Sequence, residues 1–452
     1  MVDLMVNEQR SSTAGKDVPA GYKLTEVGVI PEDWDCVPFG NLFKTNTKKK
    51  KVSDYELVSF IGMQDVSEDA QLKNNTQLPF KEVKSGFTYF EKGDVLLAKI
   101  TPCFENGKGC HTADLPTNVG FGSTEFHVLR ENEDSDSRFI YFWTTDKKFR
   151  ASLESEMVGS AGHRRVPLVA IEKYLIPCPP NLQEQSAIAD SLSDINNFIL
   201  ALEKLIVKKQ AIKTATMQRL LTGKTRLPQF ALRKDGSAKG YKKSELGEIP
   251  EDWNCINLGE LGNCIIGLTY KPEDTSDYGT LVLRSSNIQN NHLAYDDNVF
   301  VSIEPPERTI VKEGDILVCV RNGSRQLIGK CALIDKHAQG SAFGAFMSVF
   351  RTDIYGFTFH QFQSDIIQKQ IAEVMGATIN QITNKDMLGF KIPLPENTEE
   401  QAAIAAILSD MDKEIQILQQ RLDKTRQLKQ GMMQETVNRE NPLNIEGKAH
   451  GL

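Results

Sequence analysis

Apolar residues along 181–222 recur with alternating spacings of four and three: Ile188, Leu192, Ile195, Ile199, Leu202 and Ile206. That period is the narrow seam of a coiled coil rather than the wide stripe of a globular helix. Pro179-Pro180 and a capping pair, Asn181 with Glu184, predict the start, and Gly223 predicts the stop. The seam spacing blurs beyond Ile206. A second segment repeats cap and seam 216 positions later, with Asn397, Glu400, Ile404, Leu408, Met411, Ile415, Leu418 and Leu422. Two seams in one register are expected to pack on each other. About 40 residues at ~1.5 Å each make a rod of roughly 60 Å.

The sequence before each helix repeats too. Gly21-Tyr22-Lys23 leads to Gly28, Ile30-Pro31-Glu32-Asp33-Trp34 and Cys36; Gly240-Tyr241-Lys242 leads to Gly247, Ile249-Pro250-Glu251-Asp252-Trp253 and Cys255. Lys92-Gly93-Asp94-Val95-Leu96 answers Glu313-Gly314-Asp315-Ile316-Leu317, and Phe126–Arg130 answers Met347–Arg351. These short β-rich runs are punctuated by Gly, Asn and Asp; Lys-Gly-Asp before Val-Leu-Leu-Ala reads as a turn entering a buried strand. Helical stretches are expected near Phe139–Leu153 and Phe357–Val374, and Trp34 and Trp253 as core anchors. The predicted class is α+β: two homologous mixed α/β domains, each followed by a long helix. The helices are expected to pack as an antiparallel coiled coil with pseudo-two-fold symmetry. The predicted order is a tail (1–20), a domain (21–180), a helix (181–222), a linker (223–239), a domain (240–395), a helix (396–440) and a tail (441–452). Gly431 inside the second helix weakens its last turns, at ~1 kcal/mol relative to Ala.

Composition narrows the class. No apolar run approaches the ~18 residues of a membrane span. The polar start, Met1 to Ala20, is not a secretory signal. Eight cysteines without a C-x-x-C pair argue against a disulfide scaffold, a zinc site or a redox motif. A cytoplasmic setting is expected. A net charge of −7 argues against a simple nucleic-acid coat, so any DNA contact must be local or shared with partners.

The framing elements match between copies while the segments between them differ, as in Lys44–Asp54 and Thr101–Gly107 against Ile265–Tyr278 and Arg321–Gln326. One scaffold carrying two surfaces suits a pair of readers for two targets. The paired Gly-Tyr-Lys…Ile-Pro-Glu-Asp-Trp entries resemble the specificity subunit of a type I restriction–modification system. So do the helix starts Ile176-Pro177-Cys178-Pro179 with Glu184-Gln185-Ser186-Ala187-Ile188-Ala189, and Ile392-Pro393-Leu394-Pro395 with Glu400-Gln401-Ala402-Ala403-Ile404-Ala405. Leu220-Leu221-Thr222-Gly223-Lys224 fits as well, and the resemblance covers about 21 to 437.

The resemblance implies two target-recognition domains that read double-stranded DNA without catalysis of their own. It implies two methyltransferase subunits as partners, with S-adenosylmethionine held there for adenine N6 methylation. Restriction–translocase subunits holding ATP and Mg would join the full complex. No cofactor, metal or membrane is expected for this chain. The Asn/Asp-Pro-Pro-aromatic loop of an adenine methyltransferase is missing, the nearest run being Asn441-Pro442-Leu443. Gly223-Lys224-Thr225 has Gln218 where a phosphate loop needs Gly, and it closes a helix instead of opening one. A helix C-cap explains it. Gly323–Lys330 has one residue too many and is followed by Cys331.

Base edges are read by Arg or Lys on guanine and by Asn or Gln on adenine. Candidates in the first domain are His163, Arg164 and Arg165, with Lys99; in the second they are Asn380 and Gln381 at the aligned place. Arg321 and Arg325, and Arg284 with Asn287, come next. Lys48 stands for the five-lysine run Lys44–Lys51, a phosphate-contacting or merely solvated loop. Half-sites about one turn apart, roughly 34 Å, are compatible with the rod, and different faces imply an asymmetric bipartite target. An alternative of another class is a non-catalytic protein-binding adaptor built from the same duplicated unit. A fused enzyme is a third option and lacks any motif.

Overall fold

The structure is a computed structural model and describes residues 18–45, 48–160, 162–375 and 380–437. The tails at 1–17 and 438–452, Asn46 and Thr47 of the lysine run, and Thr378 and Ile379 lie outside the described residues. The architecture is mixed α+β. Contacts divide the chain into two compact units, Met1–Leu202 with Arg421–Leu452, and Glu203–Gln420. Each unit holds one β-rich domain and a part of each long helix, Leu182–Leu221 and Thr398–Val437.

In the first unit the entry motif folds as a hairpin, Tyr22–Thr25 against Gly28–Pro31. The next strand, Asp35–Pro38, pairs antiparallel with Leu175–Cys178, the last strand before the helix. Between them lie two four-stranded sheets. One runs in the order Thr76–Pro79, Leu57–Ile61, Val119–Gly122, Thr88–Glu91; the other Phe43–Lys44, Phe126–Glu131, Val95–Ala98, Gly109–His111. In the second unit, Trp253–Asn257 pairs with Lys391–Pro395, and the latter sheet recurs in the same order: Gly262–Ile266, Met347–Thr352, Ile316–Cys319, Cys331–Leu333. The Lys-Gly-Asp turn enters a wholly buried strand, Val95–Ala98, and its counterpart Ile316–Cys319 is equally buried.

The repeated Asp and Arg of these motifs find each other. Arg130 donates from Nε and Nη2 to the two carboxylate oxygens of Asp94, both at 2.7 Å, and Arg351 does the same to Asp315. Forked, charge-assisted bonds of this kind tie the turn to the adjacent strand. The expected helical stretches each break into two, Ser137–Thr145 with Lys147–Ser155 and Tyr355–Gln363 with Asp365–Val374. The break is a new N-cap: Asp146 accepts from the Phe149 N–H, and Ser364 from the Ile367 N–H.

Trp34 and Trp253 are core anchors, 2% and 0% exposed. Each indole donates to the glutamate in the first turn of the following helix: Trp34 Nε1 to Glu184 at 2.9 Å, Trp253 Nε1 to Glu400 at 3.3 Å. This corrects the capping pair. Asn181 does accept from the Glu184 N–H at 2.8 Å, but the Glu184 carboxylate serves the tryptophan. At Glu400 the pull is stronger, because Arg226 donates to both its oxygens at 2.7 and 2.8 Å. Gly223 closes the first helix at φ +70°, with its N–H on the Leu220 carbonyl, a C-cap.

Within each unit the two helices touch in antiparallel order. In the second, Lys209 pairs with Glu414 at 2.6 Å and Lys213 with Asp412 at 2.5 Å. In the first, Lys429 donates to Asn196 at 2.8 Å and the Arg421 guanidinium lies 4.9 Å from the Phe198 ring. The blurred spacing after Ile206 has a cause: lysines 209 and 213 continue the four-three register with ion pairs instead of apolar side chains. Buried apolar positions return at Met217 and Leu220. Gly431 lies inside a helix that continues to Val437. Among the described residues no helix is long and apolar enough to cross a membrane.

Asp252, in the second entry motif, accepts from Arg226 at 2.7 and 3.1 Å and from Lys239 at 2.7 Å. Burial pushes its carboxyl up, but these donors outweigh it and hold it down to about 2. A native value below the unfolded one stabilises fully above pH ~4, and the gain is lost as pH falls through about 2. Asp252→Asn should therefore cost about 2 kcal/mol at pH 7 and about half that at pH 3 in urea unfolding. An equal difference at both pH values contradicts this role.

Candidate nucleic-acid interface

In each domain one loop is laid across the end of the buried central strand by the same backbone hydrogen bonds. The first domain uses Val166 N–H to Lys99 O at 2.9 Å and Thr101 N–H to Arg164 O at 2.9 Å. The second uses Ile382 N–H to Val320 O at 2.9 Å and Asn322 N–H to Asn380 O at 3.4 Å. Bridges Ile100↔Arg165 and Arg321↔Gln381 repeat the register. Backbone bonds do not depend on side chains, so position is kept while chemistry changes.

The first loop turns at Gly159, where φ is +130° and a Cβ would meet the His163 carbonyl at 2.7 Å. Its side chains emerge at His163, Arg164 and Arg165, and Lys99, bonded to the loop through its carbonyl, directly follows the strand Val95–Ala98. Arg165 donates from Nε and Nη2 to both oxygens of Glu125, at 2.9 and 2.8 Å. Those bonds hold the Glu125 carboxyl below the usual carboxylate range. Arg164 Nη2 donates to the Glu154 carbonyl at 2.6 Å. His127 lies behind the loop, its Nε2 donating to the Val166 carbonyl at 2.9 Å, and burial lowers its pKa. Glu125 is a residue that sequence reasoning missed. It directly precedes the strand motif Phe126–Arg130, where the two copies already differ.

In the second domain Arg321, Asn380 and Gln381 come together. Asn380 Nδ2 donates to the Gly323 carbonyl at 3.0 Å, and the exposed Arg321 guanidinium lies 5.2 Å from the Phe346 ring. Asn322 Nδ2 donates to Ser285 Oγ at 3.1 Å, which brings the Arg284–Ser285 corner alongside.

Three candidates are placed elsewhere. Asn287 is fully buried: it accepts from the Arg284 N–H and donates to the Ala294 and Asp297 carbonyls and to Asn298 Oδ1. It locks the loop and has no donor left for a base, which corrects that expectation. Arg325 Nη2 lies 3.4 and 3.5 Å from the Ala372 and Met375 carbonyls, at the end of the helix Asp365–Val374. This is a helix-capping place, favourable for a cation. The lysine run carrying Lys48 lies along the other sheet, with Lys50 on Glu91 at 2.6 Å and Lys49 5.9 Å from the Tyr89 ring. Arg284 pairs with Asp297 at 2.9 Å.

Two matching domains with matching loop anchorage define a duplicated recognition scaffold. The family described as type I restriction modification DNA specificity domain matches residues 31–214 and 250–427, and the chain belongs to that family. It is similar to the type I restriction enzyme EcoAI specificity subunit of Escherichia coli, 27% identical over 364 residues, covering 64% of this chain and 62% of that one. The aligned part thus spans less than two thirds of that relative. The MjaVIII specificity subunit of Methanocaldococcus jannaschii is 25% identical over 414 residues, covering 89% of this chain and 92% of that one. The crystal structure of a type I restriction–modification S subunit from M. genitalium shares the fold, with a TM-score of 0.58 at 16% identity over 89% of this chain and 96% of that one.

Asn287→Ala removes four hydrogen bonds from a closed interior site. It should destabilise by about 2 kcal/mol or more, read as a lower midpoint in thermal or urea unfolding. An unchanged midpoint contradicts the structural role.

Proposed function

We propose that this chain is the DNA-reading subunit of a type I restriction–modification complex, without catalysis of its own. The observation that carries the reading is the shared loop anchorage: identical backbone bonds present His163, Arg164 and Arg165 in one domain and Arg321, Asn380 and Gln381 in the other. Guanine offers two acceptors to arginine, and adenine an acceptor and a donor to Asn or Gln. Each domain therefore reads one half of an asymmetric, bipartite target. Lys99, Arg284 and the run with Lys48 supply phosphate contacts, which add affinity without sequence information. Arg325 stays with its helix end.

The two long helices form an antiparallel coiled coil, which sets the gap between half-sites and docks two methyltransferase subunits. The ion pairs across it and the buried Leu192, Ile199, Leu202, Ile206, Ile404, Leu408 and Leu422 support the coil. Phe198, Leu205 and Ile212 support the docking. They are spaced by seven residues and remain 39%, 37% and 42% exposed, an apolar stripe suited to a partner helix. Adenine N6 methylation, with S-adenosylmethionine and base flipping, belongs to those partners. ATP and Mg belong to translocase subunits where these join.

Replacing Arg164 and Arg165 with Ala should weaken binding about 10-fold or more and relax one half-site only. Replacing Asn380 and Gln381 should relax the other. Methylation mapping with the co-expressed methyltransferase reads both. Equal loss over both half-sites, or a lower salt slope with unchanged sequence preference, assigns the loops to phosphate and contradicts base readout.

A further inference from the structure

We propose that Glu125 and Phe346 are positioning residues that aim the reading arginines, Arg165 in one domain and Arg321 in the other. This inference rests on the base-reading role of the two loops.

Both occupy one scaffold position. The Lys99 N–H donates to the Glu125 carbonyl at 2.9 Å, and the Val320 N–H to the Phe346 carbonyl at 3.1 Å. Each residue immediately precedes the strand that carries the Asp-paired arginine, and each touches the guanidinium beside it.

In the first domain the contact is a fork. A guanidinium has five N–H donors in a rigid plane. Glu125 takes the side edge, Nε and Nη2, at 2.9 and 2.8 Å. The end edge, Nη1 with the second Nη2 hydrogen, meets no partner among the described residues. Its geometry suits the O6 and N7 acceptors of guanine. The guanidinium is the outer partner, with 44% of the Arg165 side chain exposed against 26% for Glu125. An exposed pair of this kind adds little to folding stability. It does remove rotamer freedom from a long side chain, freedom that binding would otherwise have to remove.

In the second domain the contact is a cation over an aromatic ring. Phe346 is 57% exposed, a large apolar ring with no burial to account for it. The Arg321 guanidinium lies 5.2 Å from the ring centroid. A cation–π contact restrains the guanidinium through the ring and uses none of its N–H donors. A carboxylate and a ring thus do one job by different means, and only the carboxylate occupies donors.

The test uses the full chain with its co-expressed methyltransferase, on duplexes randomised at the target positions. Glu125→Ala should lower the guanine preference at one position by roughly tenfold, while Arg165→Ala abolishes it and the double variant matches Arg165→Ala. Removing a carboxylate near phosphates should also raise affinity for random DNA, which a folding defect would not do. Phe346→Ala should relax one position in the opposite half-site, and Phe346→Tyr should restore it. Arg165→Ala losing the preference while Glu125→Ala keeps it overturns the positioning role and leaves the loop assignment standing. Arg165→Ala leaving every position unchanged overturns the loop assignment itself.

Discussion

An indole N–H hidden from water needs an acceptor, and in both halves of this protein the acceptor is the glutamate in the first turn of the next long helix. Trp34 with Glu184 and Trp253 with Glu400 join the start of each domain to its end. Leaving either group buried and unpaired would cost about 1–3 kcal/mol or more. The strand beside each tryptophan pairs with the strand that feeds the helix, so the same junction closes the domain and launches the helix. In the second half Arg226 and Asp252 extend it into a network of forked ion pairs, and the linker after the first helix is thereby tied to the second domain.

With both ends fixed, the interior can differ. The buried central strand and its Asp–Arg fork hold the sheet, and the same backbone bonds lay the loop across its end in both domains. Side chains on that loop are therefore free to change without disturbing the fold. That separation is what a recognition scaffold requires, since specificity depends on side chains set on rigid supports.

Much of this is legible in the sequence. Repeated entry motifs, two helix starts and short β-rich runs show as patterns because burial and capping impose them on neighbouring residues. The equivalence of His163–Arg165 with Asn380 and Gln381 is visible because the loop is flanked by matching strand and helix motifs. What the sequence hides is long-range. Glu125 meets Arg165 from 40 positions away, and Phe346 meets Arg321 from 25, with no local period to betray either pair. Asn287 reads as a base-contacting residue because asparagine serves both bases and loop carbonyls; only its burial decides. The lysines at 209 and 213 look like the end of a seam until Glu414 and Asp412 are seen opposite them.

The central claim is that one backbone frame carries interchangeable reading chemistry. It is tested most directly by giving the first loop the second loop's residues, Arg164→Asn with Arg165→Gln. Methylation is then mapped across a genome with the partner subunits present. The first half-site should change from its original bases toward an adenine-containing pair drawn from the other half-site, while the second half-site and the spacing stay as they were. Methylation of the original first half-site at full strength would contradict the account.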